Sequence, residues 1–105
     1  MNKRFEGKTV FITGASSGIG ASMAMRFAAE GARVALLARR ADKLEQVKRD
    51  IEAHAGQAII FQCDVTDKDG LKTAAEQTVE TFGGIDVVLA NAGFGVSGPF
   101  ENLGI

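Results

Sequence analysis

Three glycines fall within one short stretch, Thr13-Gly14-Ala15-Ser16-Ser17-Gly18-Ile19-Gly20. Glycine loses more conformational freedom on folding than any other residue, so such a cluster implies a backbone that something approaches closely. The stretch follows the apolar run Val10-Phe11-Ile12 and opens a segment with helical spacing. Unpaired N–H groups at the start of a helix attract anions, a pyrophosphate among them. In that arrangement Gly14 makes the tight turn, Gly18 lets the backbone reach the phosphates, and Gly20 lets the helix pack closely on a sheet. One glycine would suffice for a merely flexible turn. The rest of the reactive inventory is thin. His54 and Cys63 are the only residues of their kinds, which leaves no metal-ligand cluster, and the chain has no tyrosine and no tryptophan.

The elements that must position the loop follow from apolar spacing. Lys8 to Thr13, Arg33 to Ala38, Gln57 to Cys63 and Ile85 to Ala90 are short apolar runs and predict strands. Between them lie three amphipathic helices. Ile19, Met23, Phe27 and Ala28 make the stripe of the first, which stops at Gly31. Leu44, Val47 and Ile51 line the second, with Asp42 and Glu45 spaced as a capping box and Gly56 as its end. Leu71, Ala75, Val79 and Phe82 line the third, with Thr66 as its cap and Gly83-Gly84 as its close. Apolar strands alternating with amphipathic helices predict parallel β-α-β units. Right-handed crossovers then predict an α/β, three-layer half-Rossmann fold with sheet order 3-2-1-4. The residues after Ala90 read as a glycine-rich loop.

The bulk numbers set the outer bounds. A length of 105 residues fits one domain, here 1–105, and an apolar fraction of 46% supports a single core. A formal net charge of -1 argues against nucleic acid and anionic membrane as partners. One cysteine and no long apolar run predict a soluble protein of a reducing, cytoplasmic compartment.

The pattern Thr-Gly-x-x-x-Gly-x-Gly at Thr13 to Gly20 resembles the classical short-chain dehydrogenase/reductase family. The stretch Cys63-Asp64-Val65-Thr66-Asp67 is similar to that family's adenine-contacting segment, and Asn91-Ala92-Gly93 is similar to its Asn-Ala-Gly motif. The three motifs stand in the family's order and cover essentially the whole chain. The resemblance implies that Asp64 accepts from the adenine amino group while the Val65 backbone meets the ring edge. It implies that Ser16 and Ser17 lie along ribose and phosphates and that Ile19 lies toward the nicotinamide half. It implies that Asn91 ties the fourth strand to the first, with Ala92 and Gly93 beside the adenine ribose. Taken singly, Asp64 is equally a turn residue and Asn91 equally a strand-end cap. Carried together at the ends of adjacent strands, they favour a dinucleotide.

Which dinucleotide depends on the end of the second strand, about 20 residues beyond the glycines, where an acid would bind a ribose 2′-hydroxyl. Ala38 stands there, followed by Arg39 and Arg40. A guanidinium fork suits a 2′-phosphate, so the expected cofactor is NADP(H), with Arg39 as its main contact. The plainer alternative is a pair of solvated loop charges. The family's general acid/base is a Tyr in a Tyr-x-x-x-Lys pair, helped by Ser and Asn, and no residue here matches it. No catalytic residue is therefore assigned. Three readings stay open: the NADP(H)-binding N-terminal portion of a reductase, silent alone; a subunit needing a complementing C-terminal half; and a truncated or self-assembling half-fold that binds nothing. A homo-oligomer is expected, through an exposed fourth-strand edge or an uncovered sheet face.

Overall fold

The computed structural model describes residues 4–15, 18–64 and 66–90. Four strands and three helices alternate: β1 (Thr9–Thr13), α1 (Gly18–Ala29), β2 (Arg33–Ala38), α2 (Ala41–Ala53), β3 (Gln57–Gln62), α3 (Lys68–Phe82) and β4 (Val87–Ala90). The strands form one parallel sheet in the order β3-β2-β1-β4. This is the α/β half-Rossmann arrangement expected from the alternation of apolar runs and amphipathic helices.

The two central strands explain the sequence pattern. A parallel strand covered on both faces must be apolar throughout, not at every second position. Every residue of β1 is buried, and so is every residue of β2 after Arg33. Alternate side chains serve opposite layers. Val10, Ile12, Val34 and Leu36 pack with Ala24 of α1 and with Leu44, Val47 and Ile51 of α2. Phe11, Ala35 and Leu37 point the other way, against Leu71 and Ala74 of α3.

Four helix expectations need correction. In α1 the buried residues are Gly20 and Ala24, while Ile19 is 68% exposed. A helix lying close on a sheet presents small side chains to it, and of the expected stripe Phe27 and Ala28 pack against the core while Ile19 does not. In α3 the buried positions are Leu71, Ala74 and Thr78, and Val79 is exposed. Thr78 is tolerated there because its hydroxyl donates to the Ala74 carbonyl at 2.7 Å. The α3 cap is Asp67, whose carboxylate accepts from the Gly70 N–H at 3.0 Å, and not Thr66. In α2 the capping residue is Arg40, with no side-chain cap bond, so Asp42 sits in the first turn and forms no capping box. The α2 stripe of Leu44, Val47 and Ile51 is buried as expected.

The strand ends shift by one or two residues. β4 starts at Val87, because the Asp86 carboxylate takes the N–H of Thr9 at 2.8 Å while its own N–H donates to the Thr9 carbonyl at 2.9 Å. A side chain there replaces a rung of the ladder. α3 ends at Gly83, whose φ of 93° is left-handed and whose N–H closes on the Val79 carbonyl at 2.7 Å.

Candidate functional site

All four strands run the same way, so their carboxyl ends share one edge. Thr13 of β1 pairs with Leu37 of β2 and with Ala90 of β4, and Ala38 of β2 pairs with Gln62 of β3. The chain leaves β1 toward β2 on one side and returns as β4 on the other. That reversal of strand order opens a crevice beyond β1 and β4, where ligands of doubly wound sheets bind.

The glycine loop sits at this crevice. Gly14 follows β1 with φ of 67°, a left-handed turn that side chains resist. Ala15 is buried, and its N–H donates to the Leu37 carbonyl at 3.0 Å, which ties the loop to β2. Gly18 opens α1, and among the described residues outside its own turn nothing lies within 4 Å of where its Cβ would stand. The side of Gly18 that a Cβ would occupy is therefore unobstructed by the described residues, where phosphate approach was expected. Gly20 is buried one turn before Ala24, which packs in the core. Thr13, at the head of the loop, is 1% exposed, and its hydroxyl has no partner among the described residues.

A second group of polar residues gathers at the ends of β2 and β3. Arg39 and Arg40 are both exposed but differently engaged. Arg40 Nη2 lies 3.5 Å from Asp42 Oδ2. Arg39 Nη1 lies 3.9 Å from Asp64 Oδ2, with the Arg39 side chain 78% exposed. Gln62 Nε2 donates to the Arg39 carbonyl at 3.1 Å, and the Cys63 N–H donates to the Ala38 carbonyl at 2.9 Å. The β2 end is thus fastened to the β3 end just where Arg39 leaves the sheet. The N–H of Thr66 and then its hydroxyl hold the Asp64 carboxyl below its ordinary range, with Arg39 adding to the effect and partial desolvation opposing it. Burial pushes the Cys63 thiol up, and Asp67 and Asp64 push it further.

The fold therefore brings together Gly14, Gly18, Gly20, Arg39 and Asp64 at one edge of the sheet. Arg40 is drawn toward Asp42 instead, and Ile19 is exposed next to Gly18. Ser16, Ser17, Val65, Asn91, Ala92 and Gly93 lie outside the described residues. Gln62 and Thr66 were not expected at the site. The Asp64-to-Thr66 spacing of two is an Asx-turn signal, which a reading of Thr66 as a helix cap passed over. Among the described residues no group of His, Cys, Asp and Glu is placed to hold a metal ion, and no helix is long and apolar enough to cross a membrane.

Comparison with known proteins agrees with this arrangement. A family model described as short chain dehydrogenase matches residues 8–104. Glucose 1-dehydrogenase of Gluconobacter oxydans (strain 621H) is 41% identical over 101 residues, which make up 95% of this chain and 38% of that protein. The crystal structure of an NAD+-bound xylitol dehydrogenase is similar with a TM-score of 0.83 at 35% identity, over 88% of this chain and 35% of its own. A metagenomic short-chain oxidoreductase in complex with NADP is similar with a TM-score of 0.80 at 39% identity, over 92% of this chain and 44% of its own. The chain spans less than half the length of these relatives. With its glycine loop at the switch point of a 3-2-1-4 sheet and its motifs in order, the chain belongs to the short-chain dehydrogenase family.

Proposed function

We propose that this chain is the NADP(H)-binding N-terminal portion of a short-chain dehydrogenase/reductase and is not catalytic by itself. The observation that carries the reading is the pairing of an open glycine loop with an exposed arginine, in place of an acid, where β2 ends. The residues fit the group. Gly18 leaves the helix start clear for a pyrophosphate, with Gly14 and Gly20 shaping the approach. Ser16 and Ser17 are proposed along the phosphates and ribose, and Ile19 toward the nicotinamide. Its exposed side chain is apolar surface available to a planar ring. Asp64 would accept from the adenine amino group beside Val65, and Asn91, Ala92 and Gly93 would flank the adenine ribose.

Arg39 would receive the 2′-phosphate as the main contact, with Arg40 beside it in the chain. The xylitol dehydrogenase holds NAD+ and the metagenomic oxidoreductase holds NADP, so the preference of this chain has to come from its own residues. Here Ala38 offers a 2′-hydroxyl no carboxylate, and a 2′-phosphate meets no repulsion from it. When bound, the nicotinamide supplies hydride chemistry between a carbonyl and an alcohol. This chain's part is to bind and orient. With no tyrosine among its 105 residues, it offers no proton donor of the kind the family uses.

Parallel titrations with NADPH and NADH, followed by cofactor fluorescence, test the reading. The lack of tryptophan keeps the protein's own signal low. Saturable NADPH binding with weaker NADH binding is expected. Binding of neither rejects the proposal and favours a purely structural half-fold, or one that needs a complementing C-terminal half.

A further inference from the structure

We infer that Thr66 is a positioning residue for dinucleotide selection: it holds one oxygen of the Asp64 carboxylate and so keeps the other turned to Arg39. The inference rests on the cofactor reading above. The N–H and the hydroxyl of Thr66 both donate to Asp64 Oδ1, each at 2.9 Å. Asp64 Oδ2 is the oxygen that faces Arg39 Nη1. A carboxylate turns easily about its last bond and exchanges its two oxygens. Two donors on the same oxygen remove that freedom.

Arg39 needs such help more than most residues. Its side chain is largely in solvent, and ordering a free arginine costs binding energy. Its main chain is already held by Gln62 from β3. Asp64 is the described group that meets its guanidinium, at 3.9 Å, so the way Asp64 is turned bears on where the guanidinium lies. Thr66 is free for this task, because Asp67 caps α3 unaided. Among the described residues, the charged and titratable groups beside this turn are engaged elsewhere. Arg40 is turned to Asp42, Asp67 is engaged with Gly70, and the Cys63 thiol donates to the Asp64 main-chain carbonyl at 3.4 Å. A turn with only local structural value would leave cofactor preference indifferent to the hydroxyl.

The test uses the full chain with Thr66→Val, Thr66→Ala and Thr66→Ser. Thr66 is exposed, so all three leave the core untouched. The first readout needs no dinucleotide. The Asp64 carboxyl is titrated by NMR, and in Thr66→Val and Thr66→Ala it should protonate at higher pH than in wild type, with Thr66→Ser restoring it. The second readout is affinity. Loss of the hydroxyl should weaken NADPH about two- to ten-fold more than NADH, the range of one hydrogen bond, and serine should restore the ratio. An unchanged Asp64 titration, or equal losses for both cofactors, overturns the role of Thr66 while leaving the cofactor reading intact. A wild-type chain that binds neither dinucleotide overturns both.

Discussion

A Cβ added at Gly18 would occupy space that none of the described residues outside its own turn claims. Gly18→Val should therefore leave the circular dichroism spectrum unchanged and abolish NADPH binding, because its branched side chain would stand where phosphates approach the helix start. A folded variant that keeps wild-type affinity would reject the pyrophosphate site. Arg39 makes a surface ion pair of little value to stability, so its replacement separates binding from folding. Arg39→Ala should weaken NADPH by about ten- to a hundred-fold, the range of a charged hydrogen bond, with NADH almost unaffected. Adding Ala38→Asp, which looks attractive in sequence, is the less clean change: Ala38 is 5% exposed, and a carboxylate there would be drawn out of water. Asp64 contributes to the pH dependence. Its folded carboxyl titrates below its ordinary value, so its stabilising effect is present above the unfolded value and is lost as pH falls through the folded one. Asp64→Asn should flatten the acid limb of urea-unfolding stability, and an unaltered limb would show that the Thr66 contacts carry no stability.

At the scale of elements, α3 depends on its two ends. It is the described helix that covers the face formed by Phe11, Ala35 and Leu37, so fraying it uncovers one layer of the core. Asp67→Ala removes the bond to the Gly70 N–H and should cost about 1 kcal/mol in chemical denaturation. The same substitution at Thr66, which does not cap the helix, should cost clearly less. Equal losses at the two positions would contradict the assignment of the cap. The difference between them is legible only in the structure. Both residues are good capping types, and their spacing to Asp69 and Gly70 does not say which one turns its side chain to the helix.

At the scale of the whole molecule, β4 is an edge strand with β1 as its described neighbour, and Val87, Val88, Leu89 and Ala90 are each half-buried. Ile59, Phe61 and Val88 are likewise incompletely covered on the α3 side. An apolar edge is a template for pairing, so this chain by itself should form a homodimer or larger species. Light scattering across a concentration series is the check, and a strictly monomeric species at high concentration would contradict the expectation.

Local chemistry, by itself, determined the order of elements, the parallel sheet and the glycine loop at the end of β1. These follow from short-range rules: short apolar runs alternating with amphipathic helices favour parallel strands, and right-handed crossovers leave few topologies. The α2 stripe was legible for the same reason, since Leu44, Val47 and Ile51 are large, apolar and helically spaced. Tertiary structure decided what depends on closeness. It fully buried Gly20 and Ala24, whereas of the expected stripe Ile19, Met23, Phe27 and Ala28 only Phe27 and Ala28 pack against the core, because the helix lies close on the sheet. It paired Arg39 with Asp64, which are far apart in the chain and meet only because β2 and β3 lie side by side in register. No spacing rule reaches across a crossover helix, so that contact, and the part of Thr66 in it, belongs to the fold alone.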